Sequence, residues 1–302
     1  KIYLVETEGI EIEFNGKPKL KITSFKGIKK FHEIILTVIR DYIQKFYQTE
    51  QRKKAMDYLE AEPLTIDKHT YMYPENKEII IKVPKSLKEE IEEIKRKLEE
   101  YENGNLPKEW VNWNSFIIHF DNHLYTPLIV WKEGKEDIKS IPVKLNKGET
   151  KFVKDLKGFL EEKKSLLSKY DIFLLRNLSR RGIGFFISSG FYPDFILWIR
   201  EKENEKQHII FVDPKGIRNL GNFNDDKIQF CTKYIKEIEK RIQKDLKNLY
   251  LDAFIISVSE YSKIEKIFGE GNHTKEDFES HKVLFQEDFD YIEKIFKKIL
   301  IS

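Results

Sequence analysis

Residues 191–215 read FYPDFILWIREKENEKQHIIFVDPK, and this stretch decides the fold. Two apolar runs, Phe191–Ile199 and His208–Asp213, flank the polar run Arg200–Gln207. That is the pattern of two strands joined by a turn. Pro193-Asp194 and Asp213-Pro214-Lys215 are set into the apolar runs. An acid inside a buried strand demands a partner, because an unpaired buried carboxylate is costly. If the hairpin turns at its polar middle, near residues 203 and 204, Asp194 falls opposite Asp213. Opposed residues of an antiparallel pair share one face, with Cβ atoms about 5 Å apart. The period of two then puts Lys215 on the face of Asp213. Two acids and a lysine are thereby expected to meet in one small volume.

Those residue types suit phosphodiester hydrolysis. The reaction needs an activated water and neutralised charge at phosphorus. Mg²⁺ supplies both when carboxylates hold it beside the substrate phosphate. A neighbouring lysine orients the water or stabilises developing charge. The backbone carbonyl of Pro214 is a further candidate ligand.

Upstream of the hairpin, Asn146 is placed to cap a helix running from about Lys147 to Lys163, with Glu149 where a capping box puts its acid. Phe152, Val153, Leu156 and Leu160 form its apolar stripe. Glu149 precedes the first two by three and four residues, so it points toward the same side. Asp171–Leu175 reads as a strand, and a basic loop follows to Gly184. Downstream, Asn222–Asp226 open a long helix to about Leu249, with Ile228, Cys231, Ile235, Ile238 and Ile242 on one face. Asp252–Val258 is another strand and Phe289–Ile301 a closing helix. Helix, strand, hairpin, helix and strand give a mixed sheet with helices on its faces.

The first half is less legible. A hairpin with Asn15-Gly16 at its turn, a helical pattern from Ile28 to Glu60, a strand at Ile79–Val83, a charged helix from Pro84 to Tyr101 and strands at Ser115–Phe120 and Leu124–Trp131 are expected. An α/β accessory region over 1–138 and a catalytic region over 139–302 follow from this reading.

The chain has 302 residues, 40% hydrophobic and 35% charged, with a net charge of +3. That is a globular composition with room for a basic patch. A single cysteine, Cys231, excludes an intrachain disulfide and suits a reducing, cytoplasmic setting. No apolar run approaches the roughly 20 residues of a membrane span, and no signal peptide is evident. The chain starts at Lys1 directly in a strand pattern, so a piece of a longer protein is expected.

Glu149, Pro193-Asp194 and Asp213-x-Lys215, on helix, strand and strand in that order, resemble the PD-(D/E)xK nuclease superfamily. Longer strings point to a narrower group. Residues 120–125 (FDNHLY), 145–149 (LNKGE), 180–186 (RRGIGFF) and 190–195 (GFYPDF) resemble the C-terminal nuclease region of type III restriction-type helicase–nuclease subunits. The resemblance covers about residues 115–260. It implies a restriction-endonuclease-like fold and an endonuclease of a restriction or anti-phage system, acting on DNA. Its cofactor would be Mg²⁺, with Mn²⁺ as a substitute. Glu149, Asp194 and Asp213 would surround the metal, with Lys215 beside it. A helicase motor and a methyltransferase or specificity subunit would be its partners. The chain departs from the full pattern in lacking a G-x-x-x-x-G-K-[ST] phosphate loop. Related exonucleases carry Gln-x-x-x-Tyr on the following helix, whereas Gln229 and Tyr234 stand one residue too far apart.

Arg180 and Arg181, flanked by glycines, are candidates to hold a nucleic-acid backbone, and Arg218 and Gln229 are placed to contact the same strand. Each has a plainer alternative as a solvated or structural residue. Glu149 has one too, as an ordinary capping acid. His119-x-Asp121-x-His123 lacks the fourth ligand of a zinc site, and Cys231 reads as core. Two other functions stay open: a nuclease fold kept only to bind nucleic acid, and an RNA-processing nuclease. Specificity, nick against double-strand break, and the existence of a homo-oligomer do not follow from these residues.

Overall fold

The computed structural model describes residues 10–15, 17–36, 39–40, 43, most of 80–99, 117–118, 128–130, 138–141, 143–177, 184–185, 191–269 and 271–300. The chain divides into two units, Lys1–Leu59 and Glu60–Ser302. A ladder joins β3 (Ile80–Lys82) to β6 (Lys139–Ile141) across the expected boundary at residue 138. In the first unit, β1 (Ile10–Asn15) and β2 (Lys17–Ile22) form the expected antiparallel hairpin. A helix over 25–36 follows, opened by Ser24, whose Oγ accepts the Gly27 N–H at 3.1 Å.

The second unit holds two small ladders, β3 with β6 and β4 (Ile117–Ile118) with β5 (Leu128–Ile129), and one five-stranded sheet. Its strands are β7 (Tyr170–Arg176), β8 (Phe195–Glu201), β9 (Gln207–Lys215), β10 (Leu249–Ser257) and β11 (Val283–Phe285), ordered 11-10-9-8-7. The first three are antiparallel, and β9, β10 and β11 run parallel. The chain is therefore mixed α/β.

Alternation along the strands assigns the faces. Leu174, Phe195, Leu197, Ile199, Ile210, Val212, Phe254 and Ile256 belong to the main core, with Phe152, Val153 and Leu156 of α1 (Lys147–Glu162). Tyr291, Ile295 and Phe296 of the closing helix (Tyr291–Leu300) complete it. Phe152 meets Phe195 at 5.2 Å between ring centroids. On the other face, Phe211 belongs to an aromatic cluster with Phe185, Phe191 and Phe230.

Phe230 belongs to α2, a helical run in three parts. Asp226–Gln229 and Ile235–Ile242 are α-helical, and Phe230–Tyr234 between them is a π-turn. Ile228, Cys231, Ile235 and Ile238 are buried as the apolar stripe expects. Burial holds the Cys231 thiol well above its ordinary range. The helix ends at Ile242 rather than near Leu249, because β10 already begins at Leu249.

Only Ile255–Ser257 of β10 pair with β11, so the earlier part of β10 has an open edge. Side chains of α2 cover it. Glu239 Oε2 accepts the Leu251 N–H at 2.5 Å, and Lys236 Nζ donates to the Leu251 carbonyl. The two side chains stand in for a missing strand, which blunts edge-to-edge association. The three-residue β11 lies between the expected strand at Asp252–Val258 and the closing helix, where no strand is expected.

Candidate functional site

The hairpin folds in the register its polar middle implies. Phe195 pairs with Val212, Ile196 with Phe211 and Arg200 with Gln207. Continuing by one step sets Asp194 across from Asp213. The strand itself starts at Phe195 rather than Phe191, so Asp194 lies just before β8 and beyond the last paired residue. For the same reason Pro214, which has no N–H, costs no bond to β8: the ladder has ended, and Pro214 aligns only with Ile256 of β10.

Two bonds from Asn177, at the end of β7, fix the Pro193-Asp194 segment. Its backbone N–H donates to the Asp194 carbonyl at 2.8 Å, and its side-chain Nδ2 donates to the Pro193 carbonyl at 2.8 Å. Asn177 is buried, and nothing in the local sequence pattern marks it.

Asp213 is only 4% exposed, and Lys215 Nζ donates to its Oδ2 at 2.5 Å. Asp194 lies close to Asp213 and feels its charge. Burial, then the charge of Asp213 and that of Glu149, push the Asp194 carboxyl up to about 9. Burial works against the Lys215 ammonium, but the charge and hydrogen bond of Asp213 outweigh it and raise its pKa.

Glu149 arrives from the other layer. Asp213 and Lys215 share the parity of Phe211, on the face that bears the aromatic cluster, whereas α1 packs on the Phe195 face. The capping box forms as expected: Asn146 Oδ1 accepts the Glu149 N–H at 2.9 Å, and Glu149 Oε2 accepts the Asn146 N–H at 3.3 Å. Arg176 Nη2 reaches Glu149 Oε2 at 3.4 Å and also donates to the Lys144 carbonyl, while Nη1 donates to the Val143 carbonyl. Burial raises the Glu149 pKa against the opposing pull of Arg176. Gly148 lets the first turn of α1 come close to the end of β10. A Cβ there would stand 2.4 Å from Val258 Cγ1.

The expected nucleic-acid contacts fare differently. Arg180 and Arg181 lie outside the described residues, as do His119, Asp121 and His123. Arg218 is exposed, two residues beyond Gly216. The Gln229 amide donates to the Phe223 carbonyl at 2.9 Å. Gln229 and Tyr234 flank and close a π-turn, and Gln229 is spent on the Phe223 carbonyl.

Lys227 was not legible from the sequence. Burial, then the nearby Lys215, lowers its pKa. One lysine among 54 Lys and Arg residues carries no local signal.

The donors suit a hard divalent cation, since all are carboxylate or carbonyl oxygens. As placed, no three His, Cys, Asp or Glu side chains among the described residues converge at ligating distance, because Glu149 is held by Asn146 and Arg176. No helix among the described residues is long and apolar enough to cross a membrane. Comparison of the chain with protein-family models, curated proteins and solved structures gives no match.

Proposed function

We propose that this chain is a metal-dependent nuclease that hydrolyses phosphodiester bonds in DNA, the cutting part of a restriction or anti-phage helicase–nuclease. One observation carries the reading: the β8–β9 register sets Asp194 across from Asp213, beside Lys215, at the open end of the ladder. A structural ion pair would need one acid. The second acid beside the Asp213–Lys215 pair is what a divalent cation would bind, and nucleic-acid hydrolysis is a chemistry such a site serves.

In this reading Asp194, Asp213 and the Pro214 carbonyl hold Mg²⁺ or Mn²⁺, and Glu149 joins them if it leaves Arg176. When bound, the ion supplies neutralising charge and a more acidic water. Lys215 stays on Asp213 and presents its remaining donors to phosphate oxygens. Asn177 keeps Asp194 in place. The test is plasmid cleavage by the full chain in Mg²⁺, Mn²⁺ or EDTA, beside Asp213→Ala. Metal-dependent cutting that the variant loses supports the reading. Cutting by the variant at the wild-type rate overturns the site. A full-length protein that cuts neither DNA nor RNA with any metal leaves a binding module.

A further inference from the structure

Because β11 pairs with only the last three residues of β10, the first part of β10 has no neighbouring strand. At that open edge lies a cleft of about 360 Å³, between the sheet and the closing helix. Its inner wall is apolar, with the buried Ile210 of β9 and the buried Ile295 and Ile299 of the closing helix. His208 and Tyr250, opposed across β9 and β10, complete the wall as a stacked pair, with ring centroids 5.1 Å apart and planes inclined by 21°. Burial, then the charge of Lys206, lowers the His208 pKa, so the imidazole is neutral at neutral pH.

The rim is cationic. Lys206, Lys236 and Lys298 line it with two carboxylates, Glu239 and Asp252. Both acids are already engaged. Glu239 Oε2 accepts the Leu251 N–H and pairs with Lys236, and Asp252 pairs with Lys282 at 3.0 Å and Lys298 at 2.9 Å. Lys206 makes no ion pair among the described residues, and its ammonium stands 5.4 Å from the centre of the Tyr250 ring. An ammonium has three donors, so Lys206 and the largely exposed Lys298 keep donors for an anion beside the aromatic pair. The volume sits at the low end of small-ligand pockets, roughly 300–1,000 Å³, and the apolar wall with a few polar groups is their usual make-up. His208 precedes Asp213 on β9 by roughly 17 Å of extended strand, so the cleft is separate from the acids.

We propose that this cleft binds a small anion carrying a flat aromatic ring, the chemistry of a nucleoside monophosphate. The ring packs against His208, Tyr250 and the apolar wall, and the anionic group takes donors from Lys206 and Lys298. A free nucleotide and the end of a nucleic-acid strand both present this chemistry. The site stands independently of the nuclease reading.

The experiment is calorimetric titration of the full chain in EDTA with the adenosine, guanosine, cytidine and uridine monophosphates in turn. The tightest of them is then compared with its own nucleoside and with inorganic phosphate, for wild type, Lys206→Met, Lys206→Arg and Tyr250→Leu. The monophosphate should bind wild type at least tenfold more tightly than either part alone. Lys206→Met should weaken the monophosphate about tenfold, the loss of one charge-assisted hydrogen bond, and leave the nucleoside unchanged. Lys206→Arg should restore most of that affinity. Tyr250→Leu should weaken monophosphate and nucleoside alike, with thermal melts confirming that it folds. In wild type the monophosphate should also shift the ring NMR signals of His208 and Tyr250, a readout that needs no variant. A single-stranded oligonucleotide separates the two sources. Weaker binding than the monophosphate supports a free nucleotide, and tighter binding with the same loss in Lys206→Met supports a strand end. No binding of any monophosphate at millimolar concentration would overturn the site. Inorganic phosphate binding as tightly as the monophosphate would overturn the ring, and wild-type affinity in both Lys206→Met and Tyr250→Leu would place the ligand elsewhere.

Discussion

Asp194 stands across the end of the hairpin from Asp213, and burial together with the Asp213 charge pushes the Asp194 carboxyl up to about 9. Like charges this close are unfavourable, so the arrangement costs stability that an enzyme would recover on binding a cation.

Asp194→Asn tests that cost directly. The folded pKa of Asp194, about 9, lies above its ordinary 3.8, so the folded chain keeps a proton that the unfolded chain releases. Wild-type stability in EDTA should therefore fall as pH rises from about 4 toward 9. The amide cannot ionise and can donate to the Asp213 carboxylate. Thermal melts should show the variant more stable than wild type at pH 8, with a smaller gap at pH 5. Replacing EDTA with Mg²⁺ should narrow the gap by stabilising the wild type alone. Cleavage should be lost throughout. A variant less stable than wild type at pH 8 would rule out like-charge cost at this pair.

Asn177→Ala should damage the site without touching an acid. It removes the donor to the Pro193 carbonyl at 2.8 Å and leaves that carbonyl without its partner, at about 1–3 kcal/mol. The backbone bond from residue 177 to Asp194 can persist, so the sheet should stay intact. Near-native circular dichroism, a lowered Tm and a larger fall in kcat than in substrate affinity are expected. Unchanged kcat would mean that Asp194 is positioned by its own strand.

The hairpin was legible because one buried face specifies its register. A slip of one residue would turn Phe195, Leu197 and Ile199 away from the core. The capping box at Asn146 was legible because it is a local contact. The layer from which Glu149 approaches was not, since a helix stripe says which side is buried and not which face of the sheet buries it. β11 is three residues long and gains its partner from β10 through a parallel ladder, which leaves no local alternation to read. The π-turn in α2 was hidden because its apolar spacing still matches an α-helix within one turn. Asn177 acts through a residue 16 positions away, Pro193, and an ordinary asparagine gives no warning of that.

The other end of the sheet gives a prediction with the opposite pH sign. Asp252 is buried, yet Lys282 approaches it at 3.0 Å and Lys298 at 2.9 Å. Burial by itself would raise its pKa, but the charge of Lys282 and the bond from Lys298 outweigh it, so the folded value lies below 3.8. A depressed acid stabilises the fold above its unfolded pKa, and that stability is lost as pH falls through the folded value. Asp252→Asn should therefore cost stability at pH 7 and little below the folded pKa, flattening the acid limb of the stability curve. Lys282 is left mostly buried without its partner, while Lys298 is largely exposed and loses little. The cost at pH 7 is about 2 kcal/mol, below the range for a fully buried pair. Urea melts of wild type and variant from pH 2 to pH 7 read this difference. Parallel curves over that range would mean that Asp252 keeps its ordinary pKa and that the lysines contribute packing alone.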